Sequence, residues 1–502
     1  MTRVFAVPVL LLVLATGCAR QPHPSTAPTA PPPPKPGLGT LQSNLASYFL
    51  VPAFSNAIWG VEVRSLKTGE TVFALNPRTL LMPASNMKVI TAAVAAERLG
   101  WSRTFDTRLV SVAPVENATL SGDLVIVGVG DPSLGGRPGN AAAVLDAWAS
   151  QLRARGITRI AGRIVGDDNA HDDEGLGQGW AWDYLGSGYA TPSGALAFGE
   201  NVVSLTLTPG ASAGEPVGVD ARPTGHGLTI ECAAVTGDRE SDLNLDFRRL
   251  PGSARLRVTG TVPAGRAAIE RVVSIDNPTL FTAGVVRAAF VERGIQVDGE
   301  AVDIDALDTP PTIGGAQVLA SWTSPPLAEI LKVQMKVSQN LYANTLLEVV
   351  GHAASGAPGS VESGRKAVQE TLGAWGIAPD RYVMADGSGL SRYNYLTAGV
   401  LTTVLTRMYE DPTHRAAFID ALPVAGVDGT LSDRMKGTRA ENNARAKTGS
   451  IANARALSGF VTTADGEPLV FSMIVNNFNV PQSDADAIID RAVVRLAGFR
   501  RR

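Results

Sequence analysis

Pro83-Ala-Ser85-Asn-Met-Lys88-Val-Ile-Thr-Ala-Ala-Val-Ala-Ala-Glu-Arg-Leu99-Gly100 carries both a helix signal and a chemical one. Met87, Ile90, Val94 and Leu99 recur at roughly helical spacing, and Gly100 ends the pattern, so the run predicts a helix over Ser85 to Leu99. On a helix, residues three apart share a face, which brings the Ser85 hydroxyl within reach of the Lys88 amine. A serine hydroxyl is a weak nucleophile without a base, and a lysine serves as one when desolvation or a neighbouring cation lowers its pKa; an arginine does not. Ser-x-x-Lys also occurs often on solvated helix faces, so the pair alone does not decide. Lysine usage adds weight. Of 44 basic residues only eight are lysine, and Lys88 and Lys447 both fall in candidate motifs, although Lys35, Lys67, Lys366 and Lys436 have no comparable setting.

Upstream, Leu41 to Leu50 reads as a short helix. Gly60–Arg64 and Glu70–Ala74 alternate like two strands joined through Lys67-Thr-Gly69. From 103 to 310 the character shifts to short strands between Gly, Pro and Asp: Asp123–Val127, Arg159–Val165, Asn201–Leu207 and Ala254–Val258. Helical patterns return at Leu327–Val337, Leu341–Val350, Val361–Trp375, Thr397–Met408 and Ala485–Ala497, with strands Leu457–Thr462 and Leu469–Val475 flanking an Ala-Asp-Gly turn. This order predicts an α+β fold: a helix-and-sheet domain of residues 40–102 plus 311–502, interrupted by a β-rich region at 103–310.

Two further stretches carry candidate chemistry. Lys336-Val-Ser338-Gln-Asn340 lies between two helical patterns, where Ser338 could relay a proton and Asn340 could grip a substrate amide; helix capping is the plain alternative. Ala446-Lys447-Thr448-Gly449-Ser450 precedes the last strand pair. On an edge strand beside the nucleophile it would offer an N–H for an oxyanion, a cation for a carboxylate, and a glycine that lets a ligand approach. Lys67-Thr68-Gly69 is the same tripeptide, but a turn accounts for it. Gly210-Ala-Ser212-Ala-Gly214 fits the nucleophile-elbow pattern, yet Glu215-Pro216 follows where a helix is required, so it reads as a loop. Asp167 to Glu174 reads as a solvated acidic loop rather than a metal site. Trp180, Trp182, Tyr184 and Tyr189 fit either a sugar-stacking surface or packing between inserted units, and Asp386 to Arg392 reads as a structural turn near the site.

Composition narrows the classes. The 502 residues carry a net charge of −3, which offers no basic surplus for nucleic acid. Two cysteines and five scattered histidines argue against a disulfide framework and against a metal centre, and no cofactor is expected. Arg3, the apolar run Val4–Leu14 and the small residues before Cys18 have the layout of a secretory signal over residues 1–18. The Gly17-Cys18 junction is similar to a bacterial lipobox, although Ala15 stands where that motif prefers Leu. The proline-rich stretch within residues 19–39 predicts an extended tether. The expectation is an exported protein of the cell envelope or periplasm, held to the membrane only through a lipid on Cys18, if at all.

Ser85-x-x-Lys88, Ser338-x-Asn340 and Lys447-Thr-Gly449, in that order, form the motif set of penicillin-binding proteins and class A β-lactamases. With Asp386-Gly-Ser-Gly-Leu-Ser-Arg392, Gly426-Val-Asp-Gly-Thr-Leu431 and Ala456-Leu-Ser-Gly-Phe460, the chain resembles the D-alanyl-D-alanine carboxypeptidase and endopeptidase family, the class C penicillin-binding proteins of the DacB type, over roughly residues 40 to 500. It departs from that pattern at Gln339, Asn344 and Ser450. The resemblance implies a transpeptidase-like core of helices around an antiparallel sheet, with two inserted domains, one nested in the other. It also implies acyl transfer on peptidoglycan stem peptides, with β-lactams as inhibitors. Catalytic roles pass to Ser85, Lys88, Ser338, Asn340 and Lys447, and substrate binding to Thr448, Gly449 and Ser450. A catalytically silent wall-binding scaffold, and more distantly a β-lactamase or esterase, remain as alternatives.

Overall fold

A computed structural model describes residues 36–137 and 140–501. Cys18, the expected signal segment and nearly all of the expected tether lie outside the described residues.

The part of the chain outside the inserted region is built on one antiparallel sheet. Strands β1 (Ile58–Ser65), β2 (Thr71–Leu75), β3 (Arg445–Ile451), β4 (Ala454–Thr462) and β5 (Pro468–Asn476) run in the order β2-β1-β5-β4-β3. The sequence of β5, Leu469-Val-Phe-Ser-Met-Ile-Val475, is apolar at nearly every position because helices cover both faces. Val470 and Ile474 face a core with helices α2 (Met87–Leu99), α4 (Asn340–Ser355) and α6 (Ala398–Glu410). Leu469, Phe471, Met473 and Val475 face the opposite core, closed by α1 (Pro36–Phe49) and α8 (Gln482–Ala497). Helices α3 (Leu327–Lys336), α5 (Val361–Ala374) and α7 (Pro412–Ala421) complete the first layer.

Helix α2 runs through the centre of that layer, with every residue from Met87 to Ala96 buried. Its many alanines let α4 and α6 approach closely, and each fully buried Val or Ile contributes roughly 1.5–3 kcal/mol through removal from water. The expected helix start differs in one respect. Ala84–Asn86 forms a 3-10 turn before the α-helix begins at Met87, so Ser85 stands at the helix entrance rather than inside it.

The inserted region holds a five-stranded sheet in the order 301–303, 164–167, 124–127, 106–111, 317–323. A three-stranded sheet of 218–222, 202–208 and 269–274, and a four-stranded one centred on Arg255–Pro263, are made entirely from the chain between the two halves of that first sheet. Pairing of Gln317–Thr323 with Asp106–Ser111 carries the inserted sheet past residue 310. Two helices, Ala141–Ala154 and Pro278–Glu292, pack into its core, so the region is less purely β than its sequence reads. The run Arg159–Val165 is not one strand. Arg159–Ile160 and Ile164–Asp167 belong to different sheets, and the chain breaks at Gly162, where a Cβ would sit 2.3 Å from the Gly122 carbonyl carbon.

Candidate active site

The three signatures meet in one cleft of about 380 Å³, lined by Ser85, Ser338, Asn340 and Ser450 and walled by Tyr184 and Tyr189. Ser85 reaches it because the turn before α2 is tight: Ala84 adopts φ +46°, a left-handed conformation that a non-glycine residue holds only when its surroundings fix it. The fixing neighbour is the 386–392 turn. Gly389, at φ +85°, lies so close that a Cβ there would overlap the Ala84 carbonyl oxygen at 1.8 Å.

Lys88 is fully buried below Ser85. Its Nζ lies 2.9 Å from Ser85 Oγ, 2.5 Å from Asn340 Oδ1 and 2.7 Å from the Ser388 carbonyl oxygen. Burial pushes the amine down to about 7, against the opposing pull of the Asp386 carboxylate. Asp386 is itself buried and organises the turn that supplies the Ser388 carbonyl. Its Oδ1 accepts from the N–H groups of Ser388 and Gly389, and its Oδ2 from Ser391 N–H and Trp180 Nε1, at 2.7–3.1 Å.

Ser338 and Asn340 occupy the junction between α3 and α4. Ser338 has φ +61°, which swings its hydroxyl toward β3, where Lys447 Nζ donates to it at 2.9 Å. Lys447 also donates to the Thr448 carbonyl at 2.8 Å; burial, and then the charge of Lys88, pushes its amine well below the ordinary lysine value. Asn340 Nδ2 donates to the Tyr189 carbonyl at 2.7 Å, fixing the amide so that Oδ1 faces Lys88. Asn86 Nδ2 donates to the Lys447 carbonyl at 3.1 Å, tying the Ser85 turn to the edge strand β3.

Three expectations change on inspection. Gly449 does not make room for a ligand: a Cβ there would meet the Pro83 carbonyl oxygen at 2.5 Å and Asn86 Nδ2 at 2.9 Å, so the glycine lets β3 pack against the Ser85 turn. Thr448 donates its hydroxyl to Thr430 Oγ1 at 2.8 Å and does not line the cleft. The Asp167–Glu174 segment is only partly solvated. Asp167 and His171 are buried, and His171 Nδ1 lies 2.9 Å from Glu348 Oε2 on α4. The Lys67-Thr68-Gly69 copy forms the turn between β1 and β2, and Gly210–Gly214 is a loop.

The structure adds residues that sequence reading missed. Arg455, opposite Ser450 in the β3–β4 register, donates to Ser450 Oγ at 2.5 Å and places a cation behind the cleft. Glu200, from the inserted region, accepts from Gln339 Nε2 at 2.6 Å and from Arg137 Nη2 at 2.6 Å. Burial raises the Glu200 carboxyl, but the Arg137 bonds outweigh it and hold it ionised. Gln339 lies between Ser338 and Asn340, so Glu200 steadies the strained loop that aims both. Glu200→Gln is expected to slow acylation by a fluorescent penicillin roughly tenfold, because supports of this kind set the geometry of the groups that react; an unchanged rate would contradict that role.

The model of the D-Ala-D-Ala carboxypeptidase 3 (S13) family matches residues 41–498. A D-alanyl-D-alanine carboxypeptidase from an Actinomadura species is 34% identical over 473 residues, covering 92% of this chain and 85% of the relative. The DacB carboxypeptidase of Haemophilus influenzae is 28% identical over 426 residues, 84% of this chain and 85% of the relative. The crystal structure of penicillin binding protein 4 (dacB) from Haemophilus influenzae superposes with a TM-score of 0.79 at 26% identity, covering 91% of this chain and 99% of that one, and the same protein complexed with a β-lactam gives 0.74 at 25%, covering 91% and 100%. With a match that spans nearly all of the described chain, and with the two serines, two lysines and asparagine of the motif set gathered at one cleft, the chain belongs to the D-Ala-D-Ala carboxypeptidase 3 (S13) family of serine peptidases.

Proposed function

We propose that Ser85 is the nucleophile and Lys88 its base in hydrolysis of the D-Ala–D-Ala bond of peptidoglycan stem peptides. The observation that carries this is the set of partners around Lys88 Nζ. A neutral amine has two hydrogens and one lone pair. Asn340 Oδ1 and the Ser388 carbonyl are pure acceptors and take the two hydrogens, which leaves the lone pair directed at the Ser85 hydroxyl.

Ser85 Oγ then attacks the carbonyl carbon between the two alanines as its proton passes to Lys88. The oxyanion is held by the N–H groups of Ser85 and Ser450. The C–N bond breaks when the leaving amine takes a proton through Ser338, supported by Lys447, and the acyl group stays on Ser85. Water releases it. The terminal carboxylate sits against Lys447 and the Ser450 hydroxyl, with Arg455 behind. An arriving anion favours the protonated form of Lys447, so carboxylate binding restores the charge that burial disfavours. Asn340 positions the stem peptide. β-Lactams acylate the same serine because they present the same carbonyl and carboxylate. The Arg3 to Cys18 leader supports export to the cell envelope, with a lipid on Cys18 as the anchor.

Digestion of purified muropeptides followed by mass spectrometry tests the reading. Loss of one terminal D-alanine from pentapeptide monomers is expected, and conversion of cross-linked dimers to monomers would add endopeptidase action. If both substrates stay intact under conditions where the protein is folded, the proposal fails.

A further inference from the structure

A second polar cavity of about 420 Å³ shares no lining residue with the catalytic cleft. It lies at β1, three strands from β3 across the sheet, and is closed by the chain after β2, the 3-10 turn Pro379–Arg381 and the start of α6. Arg64 of β1, Arg78 of the loop and Arg381 of the turn line it together.

Arg64 and Arg381 are half-buried and Arg78 is exposed. Arg98, Arg434 and Arg501 each meet a carboxylate, at 3.1, 2.6 and 2.5 Å. Among the described residues, no carboxylate lies within ion-pair distance of Arg64, Arg78 or Arg381, and Arg381 Nε is buried with no hydrogen-bond partner. Glu62 is the one acid lining the cavity, and its Oε2 already accepts from the Thr402 hydroxyl. Gly399 and Val400 place the N-terminal, positive end of the α6 dipole at the same wall. Three guanidinium groups against one carboxylate leave the lining of the cavity with an excess of positive charge.

We propose that this cavity binds a phosphate ester. Three guanidinium forks offer more N–H donors than the two oxygens of one carboxylate accept, whereas a phosphoryl group supplies three strongly accepting oxygens and up to two charges. The remaining Glu62 oxygen accepts from a hydroxyl on the alcohol part of the same molecule. Both a free ester such as glycerol phosphate and a phosphatidylglycerol headgroup carry this chemistry.

Calorimetric titration of the full chain at low salt with glycerol phosphate, inorganic phosphate and glycerol tests it, alongside co-sedimentation with phosphatidylglycerol or phosphatidylcholine vesicles. Saturable binding of glycerol phosphate, tighter than inorganic phosphate and absent with glycerol, supports a soluble ester. Sedimentation with phosphatidylglycerol vesicles alone supports the lipid headgroup as the source. The double variant Arg64→Gln, Arg381→Gln is expected to weaken binding by about tenfold or more while penicillin acylation of Ser85 stays unchanged. The exposed Arg78→Gln gives the same direction if the double variant does not fold. No binding of any phosphate probe, or binding that all these variants leave intact, overturns the proposal without touching the assignment of Ser85.

Discussion

Ser85→Ala abolishes covalent labelling by a fluorescent penicillin and lowers D-alanine release by about 10⁴-fold or more, the scale seen when the nucleophile of a cooperating set is removed. The protein itself stays folded. Ser85 Oγ makes one hydrogen bond, to Lys88, and removing it leaves the amine with Asn340 and the Ser388 carbonyl. The expected stability change is therefore within about 1 kcal/mol, the net worth of one such bond. Gel fluorescence of wild type and variant, with a thermal melt of each, makes the comparison. Labelling of both proteins would place the reactive group elsewhere, and labelling of neither would favour a silent wall-binding scaffold. The lifetime of the wild-type adduct separates the remaining alternative, since rapid release of opened β-lactam is the mark of a β-lactamase.

Much of this site is legible in the sequence because its parts are local. Ser85 and Lys88 are one helical turn apart, and Lys447 to Ser450 are consecutive on one strand, so spacing alone groups them. What joins the groups is not local. Asn86 reaches Lys447 across 361 positions, and Glu200 reaches Gln339 across 139. No periodicity encodes such contacts, and Glu200 has no motif around it. Arg455 was hidden for a related reason: its role comes from standing opposite Ser450 in the register of β3 and β4, which a turn geometry sets and composition does not. The helix Ala141–Ala154 carries a legible pattern inside a region that reads as strands. Val144, Leu145, Trp148 and Leu152 keep helical spacing behind an Asn140 cap, but the glycine- and proline-rich surroundings read as strands and turns. One glycine reads in the other direction. Gly449 looks like a ligand-approach position and instead lets β3 meet the backbone of the Ser85 turn, a use that only the packing of that turn reveals.

Lys88→Met is the sharper test of mechanism, because it removes the amine while keeping an unbranched side chain of similar length in a fully buried place. Acylation is expected to fall by about 10³-fold, within the range that a positioned general base supplies. The pH profile carries the decisive information. In the wild type, burial holds the Lys88 amine at about 7, and only its neutral form accepts the Ser85 proton. The acylation rate therefore rises as pH increases through about 7 and levels above it. In Lys88→Met the residual rate loses that limb. The Ser388 carbonyl and Asn340 Oδ1 lose their donor in the variant, so some destabilisation accompanies the change, but lost stability alone would lower the rate at every pH without removing a titration. A limb that survives in Lys88→Met would point instead to Lys447, the other buried amine of the cleft with a lowered pKa, acting through Ser338, and would reverse the division of labour between the two lysines.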